Sequence, residues 1–174
     1  MLRIAILIIS LLIFTPPIEA QNTSNWTTYD NAAYRMIYPK SWQLDETGRN
    51  KTEFIILSKR EKEDPFRENI NLIAQDLSNQ IMNLESYVAL SVDQIKNVVA
   101  ESKIFESKVI TKNGGPVHSI VWSGLLNGKK LKFKQLLFIN DNIAYALTLT
   151  CEEKEYDNYI ETADQILNSF ILKK

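Results

Sequence analysis

The chain is expected to adopt an α+β fold, an α/β/α sandwich in which one antiparallel sheet carries a helix on each face. Two observations lead there. Leu84, Val88, Ile95, Val98 and Val99 recur at three- and four-residue steps, and so do Tyr156, Tyr159, Ile160, Ala163, Ile166, Leu167 and Phe170, which is the signature of amphipathic helices with one apolar stripe each. The other apolar stretches are short and joined by hairpin signals, which makes the strands antiparallel. Each helix stripe then needs a sheet face to cover it.

The elements follow in order. Residues 1–20 read as a secretory signal: Arg3 is the positive start, Ile4 to Phe14 the apolar run, and Pro16-Pro17-Ile18-Glu19-Ala20 a breaker before a small residue. Cleavage is expected after Ala20. Ile18 is larger than the usual residue at such a site, which keeps an uncleaved anchor as the alternative, although the run is short for ~30 Å of hydrocarbon. Residues 21–31 are polar and without period, and are expected to be a flexible leader. Residues 32–174 then form a single domain, long enough to bury a core without disulfides.

Tyr34, Met36 and Tyr38 alternate with Arg35 and Ile37 as in a strand, and Pro39 ends it because proline has no N–H for a neighbour. Trp42 is expected to fold back onto the sheet edge. Residues 53–59 and 69–77 supply the next two strands, separated by a charged loop with its turn at Asp64-Pro65. Asn83 is placed to cap the first helix.

Beyond that helix comes a meander. Residues 103–112 form a strand ended by Gly114-Gly115-Pro116. Asn127-Gly128 is the strongest short hairpin signal, because both central residues of the favoured turn need positive φ. Counting back from that turn sets Leu126 opposite Lys129, Gly124 opposite Leu131, Trp122 opposite Phe133 and His118 opposite Leu137, all on one face. Leu125–Lys130, Ser123–Lys132 and Val121–Lys134 fall on the other, which is expected to be wet near the turn. Asn140-Asp141-Asn142 turns into a strand over residues 143–150. Thr150 and Glu153 have capping-box spacing before the closing helix.

The segment Tyr-Arg-Met-Ile-Tyr-Pro-Lys-Ser-Trp from Tyr34 to Trp42, the hairpins built on Trp122 and Phe133, and the closing Ile166-Leu167-Asn168-Ser169-Phe170 together resemble the PsbP family. That family takes its name from the extrinsic luminal protein of photosystem II and includes bacterial PsbP-like proteins. The resemblance covers about Tyr34 to Leu172. It implies an α/β/α sandwich around an antiparallel sheet and a role as a binding or assembly factor for larger proteins, not catalysis. The segment from Gln21 is unlike the longer basic extension of the plant proteins, so the photosystem is not carried over as a partner.

With 20 basic and 21 acidic residues, the chain has no global field to draw it to nucleic acid or to an anionic membrane. One histidine and one cysteine are too few for a zinc site, which needs three or four N/S ligands. His118 is expected to be a packed or rim histidine, and Cys151 a small buried apolar residue. Glu152, Glu155, Glu161 and Asp164 are read as a solvated helix face, since calcium needs six to eight oxygens on a turning loop and no such run exists. No metal or cofactor is expected. The partner-binding candidates are Lys129, Lys130, Lys132 and Lys134, with Lys108 and Lys112 nearby; the competing role is that of lysines guarding a strand. The functional expectation is an exported, non-catalytic binding or assembly module, periplasmic or secreted, monomeric, with a protein partner in the cell envelope. A small-ligand or lipid carrier is the alternative, and an enzyme using carboxylates and tyrosines a third.

Overall fold

The computed structural model describes residues 25–64 and 66–173; the expected signal segment and residues 21–24 lie outside them. The elements are β1 (Trp26–Asp30), β2 (Tyr34–Pro39), β3 (Gln43–Asp45), β4 (Phe54–Leu57), β5 (Asn69–Asp76), α1 (Leu84–Val98), β6 (Ala100–Lys112), β7 (Gly115–Leu126), β8 (Lys129–Asn140), β9 (Ile143–Glu152), α2 (Tyr156–Ser169) and β10 (Ile171–Leu172). The class is α+β, with antiparallel pairing throughout and a helix on each face of the main sheet.

The main sheet has seven strands in the order β3-β4-β5-β9-β8-β7-β6, and β1-β2-β10 make a second, small sheet. Here the structure departs from the expected single sheet. Both edges of β2 are used, by β1 on one side and β10 on the other, so Tyr34 to Pro39 has no edge left for the main sheet. Residues 26–30, expected within a flexible leader, form β1. Tyr29 anchors them: it is buried, meets Phe54 edge-on at 5.5 Å, and its hydroxyl donates to Glu46 at 2.7 Å. Tyr29 is the one buried residue of β1, and its ring and hydroxyl contacts together with the ladder to β2 order an otherwise polar strand.

The helix α2 lies between the small sheet and the main one. Its Ala163, Ile166 and Leu167, with Met36, Phe54, Leu147, Leu149 and Phe170, make the larger core. Trp42, directly before the edge strand β3, packs here against Tyr159 of α2, edge-on at 6.1 Å. The capping box does not form: β9 runs through Thr150, which is paired to Phe133 on one side and Asn69 on the other, and a backbone committed to two ladders cannot start a helix. A short turn over Glu153–Glu155 precedes α2 instead.

On the opposite face α1 packs over β6 and β8. Asn83 caps it, its side chain accepting from the Ser86 N–H at 2.8 Å. The β7–β8 register is the one counted from Asn127-Gly128, with Trp122 opposite Phe133 and His118 opposite Leu137; Asn127 and Gly128 both have positive φ. The indole of Trp122 and the ring of Phe133 stack at 3.9 Å under α1.

Candidate functional site

The helix α1 presents two adjoining stripes, and they do different things. Leu84, Val88, Val92, Ile95 and Val99 turn inward onto Ile120, Trp122, Phe133 and Leu137. Beside them Tyr87, Ser91, Gln94 and Val98, also at steps of four, three and four, line one wall of a groove of about 490 Å³ whose floor is Trp122, Gln135, Leu137 and Ala146. Val98 was expected in the buried stripe. It is instead 80% exposed, because Val99 takes the inward position where the chain leaves the helix.

The floor is held by a chain of hydrogen bonds across three strands. Trp122 Nε1 of β7 donates to Gln135 Oε1 of β8 at 2.7 Å, and Gln135 Nε2 donates to Thr148 Oγ1 of β9 at 3.2 Å. Satisfying the buried indole N–H in this way fixes the aromatic plane and the amide beside it. Burial pushes the Tyr87 phenol up, so its hydroxyl is neutral. Past Ala146 the floor continues to its cross-strand partner Ile73 on β5, which is 39% exposed. That exposure leaves the groove open toward β5.

Gly124 sets how closely α1 approaches. A Cβ there would stand 2.3 Å from Cγ1 of Val99 and 3.3 Å from the Ala100 carbonyl oxygen, so the end of the helix rests on bare backbone.

The sequence-predicted lysines are divided. Lys130, Lys132 and Lys134 share a face, while Lys129 lies on the other with Leu126. The shared face is not open to water along its length, for α2 covers part of it. Lys134 Nζ binds Asp164 of α2 at 2.6 Å, and Lys132 Nζ sits 4.0 Å over the ring of Tyr156. Lys130 pairs with Glu101 at 3.1 Å and Lys129 with Glu152 at 2.7 Å. Each cation therefore has an anionic or aromatic partner within the chain.

The reactive groups are set for packing. Cys151 is fully buried, and burial together with the nearby Glu68 charge pushes its thiol up, well away from the reactive thiolate. Its Sγ lies 3.9 Å from Glu68 Oε1. Glu68 is itself buried and raised by desolvation, with Ser58 Oγ donating to it at 3.3 Å. His118 Nε2 and Ser107 Oγ share a hydrogen bond of 2.8 Å, and burial lowers the imidazole pKa, keeping it neutral. Ser107 is exposed on the outer strand, and among the described residues no carboxylate bonds the other ring nitrogen. No group of three or more His, Cys, Asp or Glu among the described residues is placed to hold a metal ion.

The family described as PsbP-like protein matches residues 16–172. The chain belongs to this family. Among solved structures, the PsbP-like chain is similar to cyanobacterial PsbP from Synechocystis sp. PCC 6803, at 12% identity and a TM-score of 0.61 over 88% of this chain and 96% of that one. It is also similar to PA94, a protein of unknown function from Pseudomonas aeruginosa, at 14% identity and TM-score 0.63 over 86% and 99%. A third is LpqN of Mycobacterium tuberculosis, described as involved in cell envelope biogenesis, at 14% identity and TM-score 0.62 over 86% and 91%. No curated protein matches the chain significantly. At these identities the structures share the fold alone.

In this PsbP-like domain the groove residues were missed by the sequence reading. The signal was present in the spacing of Tyr87, Ser91, Gln94 and Val98, but a stripe mixing aromatic, polar and aliphatic residues does not stand out beside a fully apolar one.

Proposed function

We propose that the chain is an exported, non-catalytic binding module, and that the groove between α1 and the sheet takes an apolar segment of a protein partner in the cell envelope. The observation that carries this reading is the coexistence of a rigid floor, Trp122 to Gln135 to Thr148, with an exposed apolar rim at Val98 and Ile73. Aromatic floors with satisfied polar groups and apolar rims are the anatomy of recognition surfaces. Among the described residues the Ser107–His118 contact has no orienting carboxylate, and Cys151 is fully buried, which supports a role without a covalent step. Among the described residues no helix is long and apolar enough to cross a membrane, and an apolar run before a small residue at Ala20 supports export.

The test is partner capture from the native host by tagged protein carrying Val98→Glu or Lys130→Glu. Both side chains are exposed, so each variant keeps its stability within about 0.5 kcal/mol. The groove reading predicts loss of a specific captured protein with Val98→Glu and its retention with Lys130→Glu. The reverse pattern would move recognition to the lysine strand.

A further inference from the structure

A second concavity lies on the opposite face of the main sheet, at the C-terminal end of α2. It measures about 210 Å³, and its inner wall is Val117, Leu136, Phe138, Leu147 and Phe170, closed by Leu172 of β10. Val117, Leu136, Leu147 and Phe170 are buried, and Phe138 is fixed by stacking on Tyr145 at 5.0 Å. An apolar cavity of about 150 Å³ suffices for benzene, so this one has room for a ring or for a chain of roughly six to eight carbons.

Its rim carries two lysines with different circumstances. Lys173 is neutralised by Asp30. Lys112 is half-buried, and its Nζ donates to the Asn168 carbonyl oxygen at 2.5 Å. Among the described residues no carboxylate pairs with it. Desolvation accordingly lowers its pKa with no anion to offset the effect. A cation brought to the edge of an apolar hollow without a counter-charge, and held there by a helix C-terminus, has donor capacity left for one anionic group.

The geometry points to a binding site for a small monocarboxylate with an apolar tail: the tail lies against Phe138, Val117 and Leu172, and the carboxylate meets Lys112. A single ammonium with no carboxylate partner among the described residues matches one negative charge and not a dianionic phosphate. The site is separate from the α1 groove, and it does not depend on the reading given to that groove.

Octanoate and octanol are the probes, added to the full mature chain and followed by amide chemical shifts. Octanoate should shift Val117, Phe138 and Leu172 saturably and bind at least about tenfold more tightly than octanol, the scale of a charge-assisted contact. Lys112→Met should bring octanoate to the level of octanol while leaving octanol unchanged, Lys112→Arg should retain octanoate, and Leu172→Trp should exclude both. Unfolding midpoints of the variants separate loss of binding from loss of fold. Absence of saturable shifts at those residues would overturn the proposal. So would equal binding of octanoate and octanol by the unaltered chain, or full octanoate affinity in a folded Lys112→Met variant.

Discussion

Gly124→Ala is the sharpest perturbation of the contact that places α1. The added methyl would stand 2.3 Å from Val99 Cγ1, whereas carbon atoms rest at about 3.5–4.0 Å, so the valine must retreat by more than 1 Å. Val99 cannot swing aside cheaply, because β-branched side chains are stiff at χ1, and its own N–H is tied to the Ile95 carbonyl at 3.2 Å. Overpacking of this kind costs about 1–3 kcal/mol, and the lower entropy of alanine in the unfolded chain returns about 0.4–1 kcal/mol. The net expectation is a destabilisation between about zero and about 2.6 kcal/mol, so the coupling with Val99 is the sharper reading. Val99→Ala removes the opposing methyl, so the double variant should cost little more than Val99→Ala alone, with a favourable coupling of about 1 kcal/mol. Denaturant midpoints for the four proteins, at unchanged m-value, measure this. Strictly additive effects of Gly124→Ala and Val99→Ala would refute the close approach of α1 to β7.

Trp122→Ala should cost about 3–5 kcal/mol, since it empties the stack on Phe133 and leaves Gln135 without its donor; Lys132→Ala should cost about 0.5–1 kcal/mol through its contact with Tyr156. Equilibrium unfolding of the two variants checks both values. Glu68 has its folded pKa raised by burial, so its contribution is fully present below the unfolded carboxylate value of about 4.3 and is lost as pH rises through the folded value. The stability advantage of Glu68→Gln should therefore widen from pH 4 to pH 8, as read by unfolding midpoints. Glu152, lowered by its hydrogen bond from Lys129, acts in the opposite sense and only as pH falls below its unfolded value. Intact mass of the exported protein should correspond to a chain beginning at Gln21.

Much of the fold was legible because its signals are local. Asn127-Gly128 dictates a turn by φ alone, and the side-chain period of two then carries the register as far as His118. The helices were legible from their inward stripes. What escaped depends on distant partners: β1 is ordered by Tyr29 meeting Phe54 and Glu46, the small sheet by β10 returning to β2, and neither pairing has a local mark in Trp26 to Asp30 or Ile171-Leu172. The lysines of β8 alternate as expected, yet alternation does not tell which of them meets Asp164 or Tyr156 from α2. The groove escaped for the same reason, since its floor comes from three strands brought together only by the sheet.

Site-specific photocrosslinking in the native host tests the central claim most directly. A photoreactive side chain at Gln94, in the groove wall, is compared with one at Glu161, on the outer part of α2. The account predicts a discrete adduct with one protein from Gln94, abolished by Val98→Glu and absent from Glu161. Equal adducts from both positions, or an adduct from Gln94 that survives Val98→Glu in a folded protein, would contradict it.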